Sequence, residues 1–192
     1  MVKNQTRKEE TRRNMLDAAS RGFREKGYSG IGVDGIAKAA NATSGAFYAH
    51  FGSKDGAFQA ALELGLDEVI DGVPRFQRDF GDGWTDAFIA YYLGRSHRDD
   101  LACGCAMTSL SPEMSYADAE THALYDRKMQ TIATLVAKGL PQFPKDQGLA
   151  KAWSFLGILI GGLTLARAMN DELAIEAVLN AIKKSAMDIV AS

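Results

Sequence analysis

The chain has 192 residues, 46% of them hydrophobic and 24% charged, the composition of a folded soluble protein of one or two domains. Its 4 prolines exclude long Pro-rich linkers, and its 2 cysteines exclude a disulfide framework. The net charge of -2 argues against a nucleic-acid partner only as an average, because residues 1–54 hold 10 Lys and Arg against 5 Asp and Glu, and residues 55–192 hold 12 against 19.

A basic quarter on an acidic body suits a small polyanion-binding module joined to a larger partner. The plainer reading is an uneven scatter of charge on solvated helix faces. The N-terminal stretch Met1 to Arg13 is polar, without the apolar core of a signal peptide. A cytoplasmic protein is therefore expected.

In chain order, the first helix is expected from Thr6, where Thr6 and Glu9 fit a capping box. Leu16, Ala19 and Phe23 form its apolar stripe, and Gly27 stops it. Val33 to Ala40 reads as a short helix, Asn41–Ala42 as a turn, and Thr43 as the N-cap of a helix over Ser44–Phe51. Gly52 ends that helix, and Ser53 caps the next. That one runs from Lys54 to about Gly72, with Phe58, Ala61, Leu62, Leu66, Val69 and Val73 inward; Pro74 ends or kinks it.

Further helices are expected near Trp84–Ser96, Cys105–Leu110, Tyr116–Leu140, Gln147–Asn170 and Asp171–Val190. No alternating Val/Ile/Thr-rich run points to a strand. The apolar run Ala152 to Ala166 is shorter than the roughly 20 residues a bilayer span needs, so it reads as a buried helix. The expected fold class is all-α.

Residues 33–51 have the form of a helix-turn-helix, whose second helix enters a major groove N-terminus first. That helix is too short to stand alone, so Phe47 and Phe51 must pack it onto its neighbours. Thr43, Ser44, Gly45 and Ala46 are small enough to let the backbone approach DNA, and their N–H groups favour phosphate. Tyr48 and His50 supply hydrogen-bonding tips, and Lys54 a point charge for phosphate.

The segment Gly27 to Phe58 resembles the DNA-binding segment of TetR-family transcriptional regulators. The matching positions are Gly27, Tyr28, Val33, Ile36, Ala37, Ala40, Thr43, Gly45, Phe47, Tyr48, His50, Phe51, Ser53 and Lys54. The family's hydroxyl residues before the Val are Ile31 and Gly32 here, so phosphate contact at Gly32 falls to the backbone. Asn41 replaces the turn glycine. The resemblance implies a three-helix helix-turn-helix DNA-binding domain over residues 1–53. It implies a helical ligand-binding and dimerisation bundle over residues 54–192.

The implied DNA contacts are Gly32, Val33, Thr43, Ser44, Gly45, Ala46, Tyr48, His50 and Lys54. The implied partners are double-stranded DNA with a palindromic operator, a second copy of the chain and a largely apolar small-molecule inducer. No membrane, metal, cofactor or enzymatic activity is expected. Leu62, Leu66, Phe88, Tyr92, His97, Cys105, Met107, Tyr125, Met129 and Trp153 are candidates to line the inducer site. The plain reading of most of them is core.

The implied dimer face comprises Gly157, Ile160, Gly161, Val178, Leu179 and Ile182, with Trp153, Leu163 and Ala168 adding area. Cys103 and Cys105 offer an alternative function, a repressor that senses oxidants or electrophiles by thiol chemistry. The plain reading of Cys105 is a small buried hydrophobe. A further alternative is a ligand-independent architectural protein with the same head.

Overall fold

The computed structural model describes the backbone of residues 2–191 and the side chains of residues 6–191. Among the described residues are ten α-helices, two 3₁₀ turns and no strand. They form two compact units, Met1–Gly65 with Leu101–His122 and Leu66–Asp100 with Ala123–Ser192.

The first unit opens with α1, Val2–Gly30, which is interrupted at Gly27, where φ is 72° and ψ is 174°. The helix begins ahead of the expected Thr6. Its buried row is Met15, Ala19 and Phe23, so Met15 rather than Leu16 completes the stripe. α2 spans Val33–Ala39 and α3 Ser44–Phe51. Phe23, Ile36 and Phe47 are wholly buried and join the three helices in one core.

α4, Lys54–Phe80, starts in this unit and ends in the other. Ser53 caps it, its Oγ accepting the Gly56 N–H at 2.9 Å. Of the two courses expected at Pro74, an end or a kink, the end is not observed, and the helix continues to Phe80. The continuation is held by packing: the Phe76 ring lies 5.3 Å from Phe88, 5.4 Å from Tyr91 and 5.6 Å from Phe80.

The expected helix over Trp84–Ser96 is two helices, α5 Trp84–Tyr92 and α6 Arg95–Asp99. They break at Gly94, which is extended at ψ 154°. α7, Ala106–Ser109, and the 3₁₀ turn Ser111–Tyr116 return to the first unit. α8 spans Ala119–Lys138, α9 Lys145–Ala168 and α10 Glu172–Ala191. Asp171 caps α10 by accepting the Ala174 N–H at 2.8 Å.

In the second unit α9 packs along α10. A Cβ on Gly162 would lie 2.6 Å from Ile182 Cγ2, so that glycine is the point of close approach. α9 is long and apolar enough to cross a membrane by length and composition alone. The expectation of a buried helix holds for one face only. Phe155, Leu156, Leu159 and Leu163 are buried, whereas Trp153, Gly157, Gly161 and Leu165 are exposed.

Candidate nucleic-acid interface

The helix-turn-helix is assembled by local chemistry. Gly32 precedes α2 in an extended conformation, with no side chain to cap it. Its carbonyl accepts the Ile36 N–H at 3.1 Å. α2 ends in a turn where Asn41 has φ 52°, a left-handed value that Asn tolerates better than most residues. Thr43 then caps α3, its Oγ1 accepting the Ala46 N–H at 3.2 Å. Gly52 terminates α3 at φ 72° and donates its N–H to the Tyr48 carbonyl at 2.9 Å.

The inward side of α3 is aromatic. Phe47 is wholly buried, 5.3 Å from the Phe51 ring. The Arg12 guanidinium lies 5.5 Å from the Phe51 ring centroid, tying α1 to the end of α3. The outward side carries Ser44, Gly45 and Tyr48. Tyr48 is 53% exposed, which leaves its hydroxyl available. Gly45 and Thr43 are exposed, while Val33, Ser44, Ala46, His50 and Lys54 are half-buried.

Three details of this surface are absent from the sequence reading. Ser44 donates its hydroxyl hydrogen to Asp34 Oδ1 at 2.5 Å, which sets a carboxylate at the mouth of α3. The imidazolium form of His50 is disfavoured by burial first, then by repulsion from Lys8 and Arg12, so its pKa falls below the usual value. The Lys54 ammonium lies 4.3 Å from the centroid of the Tyr28 ring.

Tyr28 is itself well held. Its hydroxyl donates to Asp55 Oδ1 at 2.5 Å, and that bond, followed by burial and the Asp55 charge, pushes the phenol up to about 12. Its ring packs edge-on to Phe58 at 5.4 Å. Its backbone N–H donates to Glu113 Oε1 at 3.0 Å. The sequence holds a signal for Tyr28, the Gly-aromatic pair, but none for Glu113.

The candidate ligand-site residues are divided. Leu62, Cys105 and Met107 are buried in the first unit. Leu66, Phe88, Tyr92, His97 and Met129 are buried in the second, Tyr125 is half-buried and Trp153 is exposed. Phe88, Tyr92 and His97 form a stack, at 5.7 and 4.9 Å between successive rings. Three clefts of about 460, 410 and 580 Å³ are lined by other residues. They lie, respectively, along Asn14–Arg21, around Tyr28, Glu113 and Tyr116, and around Gln77, Trp84 and Gln142.

On α9, Gly157 and Gly161 face open space, and Ile160 is half-buried. On α10, Val178, Leu179 and Ile182 are half-buried, Ile182 against Gly162 of its own chain. Leu163 is wholly buried inside the unit and adds nothing to an outer face, contrary to expectation. Cys103 is exposed and Cys105 buried.

Residues 15–61 match the family model for bacterial regulatory proteins of the tetR family. The HTH-type transcriptional repressor NemR of Escherichia coli strain K12 is 22% identical over 134 residues, 68% of this chain and 67% of that protein. The HTH-type transcriptional regulator AcrR of Shigella flexneri is 38% identical over 72 residues, 38% of this chain and 34% of that protein. Among solved structures, a TetR-family transcriptional regulator from Agrobacterium tumefaciens superposes with a TM-score of 0.78 at 16% identity, covering 93% of this chain and 98% of its own. E. coli NemR in its reduced form gives 0.73 at 20% identity, covering 91% and 95%.

Proposed function

The chain is a DNA-binding transcriptional regulator of the TetR family, and on that premise we propose that it is a repressor released from DNA by a small molecule. Regulators of this family bind DNA, act as dimers and respond to small-molecule ligands. Residues 1–53 read the DNA, and residues 54–192 sense the inducer and dimerise. The observation that carries the reading is the two-sided α3: Phe47 anchors it inward, and Ser44, Gly45 and Tyr48 face out.

In the proposed complex, one α3 of each protomer enters the major groove of a palindromic operator half-site. Thr43, Ser44, Gly45, Ala46 and Tyr48 approach the bases. The Gly32 backbone, Val33, His50 and Lys54 lie along phosphates. The exposed glycines Gly157 and Gly161, with Ile160, Val178, Leu179 and Ile182, meet the same helices of a second copy. That copy, rather than a membrane, covers the open face of α9. The protein works in the cytoplasm, needs no metal or cofactor and performs no catalysis.

The inducer is a largely apolar molecule, and the packed rings Phe88, Tyr92 and His97 are candidates to contact it once they part. It releases DNA only through unequal affinity for the DNA-competent and released dimers. Footprinting on promoter DNA tests the reading. The expected result is two protected half-sites related by a two-fold axis, lost in Tyr48→Ala while the dimer persists. Wild-type affinity in Tyr48→Ala would remove that side chain from the interface.

The exposed thiol of Cys103 supports a second reading, in which an oxidant or electrophile replaces the inducer. The likeness to NemR, whose structure was solved in a reduced form, adds to it. Peroxide should then release DNA from the wild type and not from Cys103→Ser or Cys105→Ser. Release that persists in both variants would exclude thiol sensing.

A further inference from the structure

Glu113 lies 85 residues from Tyr28 in sequence, yet its carboxylate closes on the turn that carries that tyrosine. Two features of the turn admit it. Gly27 breaks α1 at φ 72°, and the next N–H, that of Tyr28, donates to Glu113 Oε1. A Cβ on Gly27 would lie 2.6 Å from the same oxygen, so a side chain there would expel the carboxylate. The segment that bears Glu113 is keyed into the first unit at a second point. A Cβ on Gly65 would meet Ala106 Cβ at 2.5 Å and Arg24 Nη2 at 2.7 Å.

The Tyr28 ring, held at its backbone by Glu113 and at its far end by Asp55 and Phe58, is the surface on which the Lys54 ammonium rests. A lysine side chain is flexible, and its ammonium contacts a phosphate as a point charge. A ring face at 4.3 Å restrains that charge before DNA arrives. The backbone end of the ring keeps its place only while the turn after Gly27 keeps its direction. The carboxylate of Glu113 holds the first N–H of that turn.

We infer that Glu113 is a positioning residue for the phosphate contact of Lys54, acting through the backbone and ring of Tyr28. This rests on the phosphate role proposed above for Lys54. A purely structural Glu113 would support the fold without affecting where the Lys54 ammonium sits.

The test uses the full-length protein and a labelled operator fragment. In NMR spectra of the free protein, the Lys54 ε-methylene protons should resonate upfield, over the Tyr28 ring. Glu113→Ala should return them toward the position of a free lysine. The same variant should lose about two- to fivefold in operator affinity, the scale of one exposed cation–π contact. It should lose nothing further when Lys54 is already Ala. Glu113→Gln keeps an acceptor oxygen and should behave as wild type. Glu113→Asp is one methylene short and should reproduce the loss if Glu113→Ala fails to fold.

Unmoved Lys54 resonances in a folded Glu113→Ala or Glu113→Asp protein would overturn the inference. So would an equal loss of affinity in the Lys54→Ala background. Lys54→Ala with an unchanged salt dependence would defeat the phosphate reading, and the DNA role of Glu113 with it. The resonance shift would still report separately whether Glu113 orients the ammonium.

Discussion

The Ser44 hydroxyl proton is already committed, because it is donated to Asp34 Oδ1 at 2.5 Å. The pair therefore presents acceptor oxygens only, at the end of α3 that the proposed complex inserts first. Acceptors pair with major-groove amino groups, those of cytosine or adenine, and repel phosphate. Asp34 also sits in the first turn of α2, where its charge suits the helix dipole.

Asp34→Ala should consequently tighten binding to random DNA while narrowing the margin between operator and random DNA. A small loss of head stability, about 0.3–1 kcal/mol, is expected with it. Competition gel shifts at fixed salt measure both affinities. A proportional weakening on both DNAs would show that Asp34 acts only as a structural support for α3.

His50 gives the head a pH dependence whose sign follows from its surroundings. Burial and the charges of Lys8 and Arg12 hold its pKa below the ordinary histidine value of about 6.5. Above that pH both folded and unfolded chains carry it neutral, and its contribution to stability is fully present. As pH falls below 6.5 toward the folded pKa, the unfolded chain takes up the proton first and that contribution is lost. A phosphate beside His50 reverses the preference, so DNA binding should take up a proton. Operator affinity should rise between pH 7.5 and 6, and His50→Gln should flatten the rise. Titrations in matched ionic strength decide it; an identical slope in the variant would separate His50 from phosphate.

Arg98 illustrates a stabilising pair with an uneven balance. Its side chain is 10% exposed, whereas its partners Asp99 and Glu172 are 51% and 59% exposed. Removing the arginine returns two carboxylates to water. Neutralising both acids leaves a buried cation without its counter-charges, the more costly result. Asp99→Asn with Glu172→Gln should therefore lower the denaturant midpoint more than Arg98→Met does. The reverse order in urea melts would mean that the guanidinium is better hydrated than its burial suggests.

The head was legible in the sequence because its stops and caps are local chemistry. Gly27 and Gly52 adopt positive φ, and Thr43 and Ser53 each accept an N–H three residues on. Each of these needs only neighbouring residues to act. The continuation of α4 through Pro74 was hidden because rings from α5 supply the compensation. The break at Gly94 was hidden because a lone glycine at the end of an apolar run permits either course. Asp34 and Glu113 escaped for the same reason: each acts on a residue with no fixed sequence spacing to it. Glycine pairs on α9 were visible as a motif, but which glycine faces in and which faces out depends on where α10 lies.

That division of the α9 glycines separates packing within a protomer from packing between protomers. Gly162 is closed by Ile182, and a Cβ there would overlap that side chain. Gly157 and Gly161 meet nothing within 4 Å, so alanine fits the isolated chain at both positions. Alanine also favours a helix by about 1 kcal/mol over glycine at each site. In a monomer, Gly157→Ala with Gly161→Ala should then raise the melting temperature. In the proposed dimer the same methyl groups stand where the partner's helices approach, and the larger Gly157→Leu blocks that approach outright. Gly157→Leu should dissociate the dimer at micromolar concentration while leaving far-ultraviolet circular dichroism unchanged. Gly162→Val should lower stability through the clash with Ile182. Sedimentation velocity over a concentration series distinguishes these results. A Gly157→Leu protein that sediments as the wild-type dimer would place the interface on another face.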